Sequence, residues 1–133
     1  MIKQEEQIHI ALCKYIQLQY PNVIFTTESS GLRLTMRAAV VAKQCRNPKV
    51  GWCDIILLEA RGGYHGLLIE VKKDESQLLT KKGVPKTDKH NMEQQSFARN
   101  ADSKGYRYLY ACGLDMGIEI VNDYMALPST STI

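Results

Sequence analysis

Two apolar runs, residues 53–60 and 64–72, are joined by Arg61-Gly62-Gly63. Such runs around a glycine-rich turn read as a β-hairpin. Neither run alternates apolar with polar residues, as a strand with one wet face does, so this hairpin is expected at the centre of a sheet with both faces covered. The covers come from helices. In residues 4–20, Ile8, Leu12, Tyr15 and Ile16 recur at the spacing of one buried face, and Pro21 stops the helix. Residues 89–104 read as a second helix with Met92, Phe97, Ala98 and Ala101 inward and Gly105 as its stop, and residues 114–125 as a closing helix. Residues 23–27 and 106–111 are β-branched and aromatic and read as strands. Residues 32–45 are basic and weakly helical, and Asn47-Pro48 and Gly51 mark a loop. Residues 73–88, Lys-rich and broken by Gly83 and Pro85, read as an exposed, mobile loop. The pattern is that of an α/β domain.

A chain of 133 residues fits one core. We expect a single domain over residues 1–127 and a disordered tail over 128–133, Pro-Ser-Thr-Ser-Thr-Ile. Its 44% apolar and 23% charged residues exclude a disordered chain, a collagen-like fibre and a coiled-coil rod. No apolar run is long enough to span a bilayer, so no membrane partner is expected. The N-terminus lacks the apolar core of a signal peptide, which favours the cytoplasm. Cys13, Cys45, Cys53 and Cys112 form no CxxC pair, and the histidines supply no zinc spacing, so the cysteines read as small apolar fillers.

The net charge of +3 hides an uneven distribution. Residues 31–50 carry Arg33, Arg37, Lys43, Arg46 and Lys49 and no acid, a balance of +5. Residues 51–71 hold Asp54, Glu59 and Glu70 against Arg61, and residues 72–90 hold six lysines, Lys73, Lys81 and Lys82 among them, against three acids. Two basic stretches bracket an acidic one. Charge runs alone most often solvate loops. This bracketing also suits a nucleic-acid groove around a metal site, with cations for phosphates and carboxylates for the ion.

The acidic stretch carries the candidate chemistry. With a three-residue turn over 61–63, Asp54 stands opposite Glu70, and directly opposed side chains share a face with Cβ atoms ~5 Å apart. Lys72, two residues beyond Glu70, points to that face as well. A two-residue turn scatters the set unless a bulge compensates. Two close carboxylates repel unless a divalent cation lies between them, and their hard oxygens suit Mg²⁺ or Mn²⁺. Such an ion activates water and stabilises phosphate charge, and a neighbouring lysine orients or deprotonates that water. The plain alternative is a cross-strand ion pair at a strand end, which is the better reading of an isolated Asp and ExK. Against it, Gly51-Trp52-Cys53-Asp54 opens a strand from a loop, and charges at 70 and 72 interrupt an apolar strand at a cost.

These residues resemble the virus-type replication–repair nuclease (VRR-NUC) domain of the PD-(D/E)xK nuclease superfamily. The likeness runs from about Glu5 to Tyr124. Its elements follow in family order: Glu5-x-x-Ile8-x-x-Ala11, Gly51-x-x-Asp54, Leu68-Ile69-Glu70-Val71-Lys72, and Gln94 ahead of Gly105. Cys53 departs from the proline that usually precedes the aspartate, and Asn47-Pro48 replaces a Gly-rich approach to Gly51. The resemblance implies a restriction-endonuclease-like core, a central mixed β-sheet flanked by helices. It implies metal ligation by Asp54, Glu70 and the Val71 carbonyl, with Glu5 assisting directly or through water. Lys72 becomes the catalytic lysine, and Gln94 orients water or phosphate. Glu6 and Gln95 rival Glu5 and Gln94; Glu5 lies three residues before Ile8 on the buried face, and Gln94 shares a face with Phe97 and Ala98.

The function so implied is a Mg²⁺- or Mn²⁺-dependent, structure-selective DNA endonuclease. Stand-alone domains of this type resemble dimeric Holliday-junction resolvases, so branched or junction DNA and a homodimer are expected, in a DNA-repair setting of a bacterial or phage-infected cell. Arg33, Arg37, Lys43, Arg46, Lys49, Lys73, Lys81 and Lys82 are the candidate phosphate contacts, which read shape more than base sequence. Three alternatives stand beside it: a monomeric flap nuclease, an inert DNA-binding module with the same fold, and an interaction protein whose acidic hairpin end merely caps a sheet. Tyr15, Tyr106, Tyr108 and Tyr110 suit either a dimer face or half-buried sheet packing.

Overall fold

The structure, a computed structural model, describes residues 2–28, 34–46 and 51–130. In chain order these form α1 (Gln4–Gln19), β1 (Phe25–Thr27), α2 (Met36–Cys45), β2 (Ile55–Leu57), β3 (Leu67–Lys72), α3 (Lys89–Ser103), β4 (Arg107–Cys112) and α4 (Leu114–Met125), with a 3-10 turn at Glu75–Gln77. The sheet order is β1-β2-β3-β4; β1–β2 and β2–β3 are antiparallel, and β3–β4 is parallel. It is a four-stranded mixed sheet flanked by helices, with the hairpin at its centre.

Alternation along β3 divides the core in two. Leu67, Ile69 and Val71 join Leu12 and Ile16 of α1 and Val121 and Tyr124 of α4 on one side. On the other side Leu68 joins Cys53, Tyr108 and Ala101 of α3. All six residues of β3 are buried, as its continuous apolar run demands. Glu70 and Lys72 share the parity of Leu68, so the charged pair projects to the α3 side. Ile69 is fully buried. Ile69→Ala is expected to cost about 2–5 kcal/mol, read as a lower urea midpoint at unchanged m-value.

The hairpin reaches the expected register by another route. Its turn has two residues, Gly62-Gly63, both at positive φ, inside an Arg61–Tyr64 bridge. The strands nevertheless pair Ile55 with Ile69 and Leu57 with Leu67, the register a three-residue turn gives. The first arm therefore carries one extra residue between Leu57 and Arg61. That stretch is drawn off the ladder: the Leu58 amide bonds the Ile24 carbonyl, and the Ala60 carbonyl takes the Thr130 amide.

Other expectations are corrected. Met92 does not face inward; it is 44% exposed. Asn91 and Gln94 take the inward positions of the first turns of α3, and only Ala101 among the apolar residues is buried there. Residues 73–88 are exposed for the most part, yet they are structured. The Leu79–Pro85 bridge and bonds from Thr80 to Val84 and from Lys86 to Leu78 fold the segment back on itself. The tail is tied down through residue 130: the Gly62 amide bonds the Pro128 carbonyl, and the Gly63 amide bonds Thr130 Oγ1. Residues 131–133 lie outside the described residues.

Candidate active site

Asp54 is placed by a bulge. The β2–β3 ladder ends at Ile55–Ile69, and the Asp54 amide also donates to the Ile69 carbonyl at 2.9 Å. Two successive residues thus face one, which bends the chain and re-aims the side chain. Asp54 is therefore no simple cross-strand partner of Glu70. Its Oδ2 accepts the Val71 amide at 2.8 Å, and its carbonyl accepts the Glu28 amide at 3.0 Å. These bonds hold the carboxylate beside Glu70.

Glu70 and Lys72 are 5% and 4% exposed, and Lys72 Nζ lies 3.4 Å from Glu70 Oε2. Gln94 Nε2, reaching from α3, donates to the same Oε2. Desolvation pushes the Glu70 carboxyl up to about 8, and the Asp54 charge and hydrogen-bond contact push the same way, against the opposing pull of Lys72 and Gln94. Without a further cation, these causes favour the protonated form of the Glu70 carboxyl at neutral pH.

Asp54, Glu70, Lys72 and Gln94 line a cavity of about 500 Å³ together with Glu5 from α1. Glu5 Oε2 accepts from Gln77 Nε2 at 3.2 Å, whereas Glu6 is turned away to cap the Lys3 amide. Gln95 likewise points elsewhere, donating to the Lys86 carbonyl. The five side chains expected from the sequence to carry chemistry thus meet in one place. Sequence reasoning missed Glu28, Gln77, Lys86, Asp88, His90 and Asn91, which line the same cavity. Only Lys86 carried a readable signal, as a further lysine of the basic stretch.

The expected phosphate contacts sit apart from this cavity. Arg37, Lys43 and Arg46 are exposed on α2 and at its end, and Lys73, Lys81 and Lys82 are exposed in the segment that follows β3. None of these six lines the cavity. Arg33 and Lys49 lie outside the described residues. Of the four tyrosines, Tyr108 is buried in the α3-side core, Tyr15 bonds Asn122 of α4, Tyr110 packs on Tyr108, and Tyr106 packs on His65.

The donor set suits a hard divalent cation. Glu70 Oε1 and Gln94 Oε1 are buried and accept no hydrogen bond. Both residues line the polar cavity with Asp54, and these two oxygens keep unused lone pairs. Among the described residues no three His, Cys, Asp or Glu side chains form a cage. Two carboxylates completed by backbone, water and phosphate oxygens is the arrangement Mg²⁺ commonly adopts.

Two solved structures share this architecture. A VRR_NUC domain protein matches with a TM-score of 0.64 and 22% identity, over 98% of this chain and 95% of its own. Another, titled VRR_NUC domain, matches with a TM-score of 0.53 and 15% identity, over 92% of this chain and 99% of its own. No family profile matches the sequence, and no curated protein does. At these identities the likeness establishes the fold: the chain has the fold of VRR_NUC domains. No helix among the described residues is long and apolar enough to cross a membrane.

Proposed function

We propose that the protein is a divalent-metal-dependent DNA endonuclease selective for branched DNA, a Holliday-junction resolvase that acts as a homodimer. The observation that carries this reading is the meeting of Asp54, Glu70 and Lys72 in one polar cavity of a nuclease fold. Asp54, Glu70 and the Val71 carbonyl would hold Mg²⁺ or Mn²⁺, with Glu5 reaching it directly or through water. When bound, the ion lowers the pKa of water and offsets charge on the phosphate. Lys72 orients the attacking water and meets the phosphate charge. Gln94 fixes the Glu70 carboxylate through its amide and leaves Oε1 to accept from water. Gln77 steadies Glu5. The exposed cations of α2 and of residues 73–82 hold backbone phosphates on either side.

The homodimer draws support from α2. No residue of this helix is buried, and Met36, Val40 and Val41 are 86%, 52% and 53% exposed. A second copy that covers this surface relieves the exposure and supplies a second active site for symmetric cutting. Sedimentation of the purified chain is expected to give twice the mass of one chain, and Val40→Glu is expected to shift it to the monomer. Paired incision of a four-way junction by the dimer supports the resolvase; cutting of flaps alone by a monomer points to a flap nuclease instead.

A further inference from the structure

Trp52 lies two residues before Asp54 and lines the cavity shared by Asp54, Glu70 and Lys72. It is the chain's one tryptophan, it is half-buried, and the roles above give it no task. Every other described side chain lining the cavity is charged or polar. The indole packs against other rings. Its ring centroid lies 4.9 Å from that of Phe97, and Phe97 lies 6.0 Å from Tyr108. Its backbone is pinned as well. Gly51 has φ +94°, and a Cβ there would stand 2.7 Å from the Glu93 carbonyl oxygen, so the loop is pressed against α3. The Tyr108 hydroxyl donates to the Gly51 carbonyl at 3.2 Å. A braced aromatic ring among the polar side chains that line a cavity of about 500 Å³ meets one thing well, the flat face of a nucleobase.

We propose that Trp52 is a stacking platform for an unpaired nucleobase next to the phosphodiester held at Asp54, Glu70 and Lys72. A base inside a duplex has both faces covered by its neighbours. A base at a branch point, gap or frayed end has one face free. The platform therefore gives the site a preference for interrupted DNA that needs no base-edge contact. This proposal rests on the nuclease reading for its phosphodiester, but stacking is measurable without cleavage.

Trp52 emission reports the event directly. Metal-free protein in EDTA is titrated with a short oligothymidine, with an abasic strand of equal length and charge, and with blunt duplex. The oligothymidine is expected to quench the emission and the abasic strand to leave it nearly unchanged. Trp52→Leu is expected to weaken binding of branched DNA by roughly 5- to 100-fold, and Trp52→Phe, which keeps a ring, by clearly less. Equal quenching by the abasic strand, Trp52→Leu binding like the natural chain, or no binding of any strand overturns the proposal. Stacking without any cleavage in Mg²⁺ leaves the platform standing and removes the nuclease; cleavage and binding indifferent to Trp52→Leu do the reverse.

Discussion

Lys72→Met is expected to lower the rate of DNA cleavage by about 10²- to 10⁴-fold, the range that a positioned proton-transfer group contributes, while DNA affinity stays close to that of the natural chain. Methionine keeps the volume of the aliphatic stem, so the β3–α3 interface stays filled. What disappears is the ammonium 3.4 Å from Glu70 Oε2. Its loss removes the cation proposed to meet the scissile phosphate and leaves Glu70 with Asp54 and Gln94 as its side-chain partners. Asp54→Asn and Glu70→Gln are expected to fall at least as far, because each removes one of the two carboxylate charges proposed to hold the metal. Binding is expected to be spared because the exposed lysines and arginines proposed to hold the phosphates are unchanged. Single-turnover cleavage beside a binding titration in EDTA separates the two effects. Full activity in any of the three variants removes that residue from its role.

The stability of the metal-free protein is expected to fall as pH rises from about 4.5 to about 8. The sign follows from Glu70. Its carboxyl titrates near 4.5 in an unfolded chain and near 8 in the folded one, so within that window the folded state holds a proton that the unfolded state has released. Stability from this group is fully present below pH 4.5 and is lost as pH passes through 8. The amplitude is on the order of a few kcal/mol. Urea unfolding across the window measures it. Glu70→Gln, which cannot titrate, is expected to flatten the curve. Mg²⁺ is expected to restore stability at pH 8 and to bind more weakly as pH falls, since it competes with the proton for the same oxygens. A slope that survives in Glu70→Gln, or stability at pH 8 that ignores both Mg²⁺ and Mn²⁺, contradicts the assignment.

Much of this arrangement was legible in the residues. The continuous apolar runs put the hairpin at the centre of the sheet, because two covered faces admit no alternation. Parity alone put Glu70 and Lys72 on one face. Helical spacing put Gln94 rather than Gln95 toward the sheet. The means by which Asp54 arrives were not legible. A bulge adds one residue without a compositional mark, and here it acts with an offset near Arg61 that no turn rule reports. The face of α3 was misread at Met92 because its inward stripe turns polar where it meets the cavity, with Asn91 and Gln94 in the places an apolar pattern assigns to hydrophobes. Glu28, Gln77 and His90 were out of reach for another reason: each comes to the cavity by tertiary approach, from segments whose local sequence carries no sign of it.

The most direct test is cleavage of a labelled four-way junction by the purified chain, in EDTA, Mg²⁺ and Mn²⁺, with a flap and a plain duplex of the same sequence alongside. Incision of the junction that requires the divalent ion, exceeds that of the duplex and disappears in Lys72→Met is the predicted result. Intact DNA of every form in both metals, with the junction bound, would contradict it and leave an inert DNA-binding module in the nuclease fold.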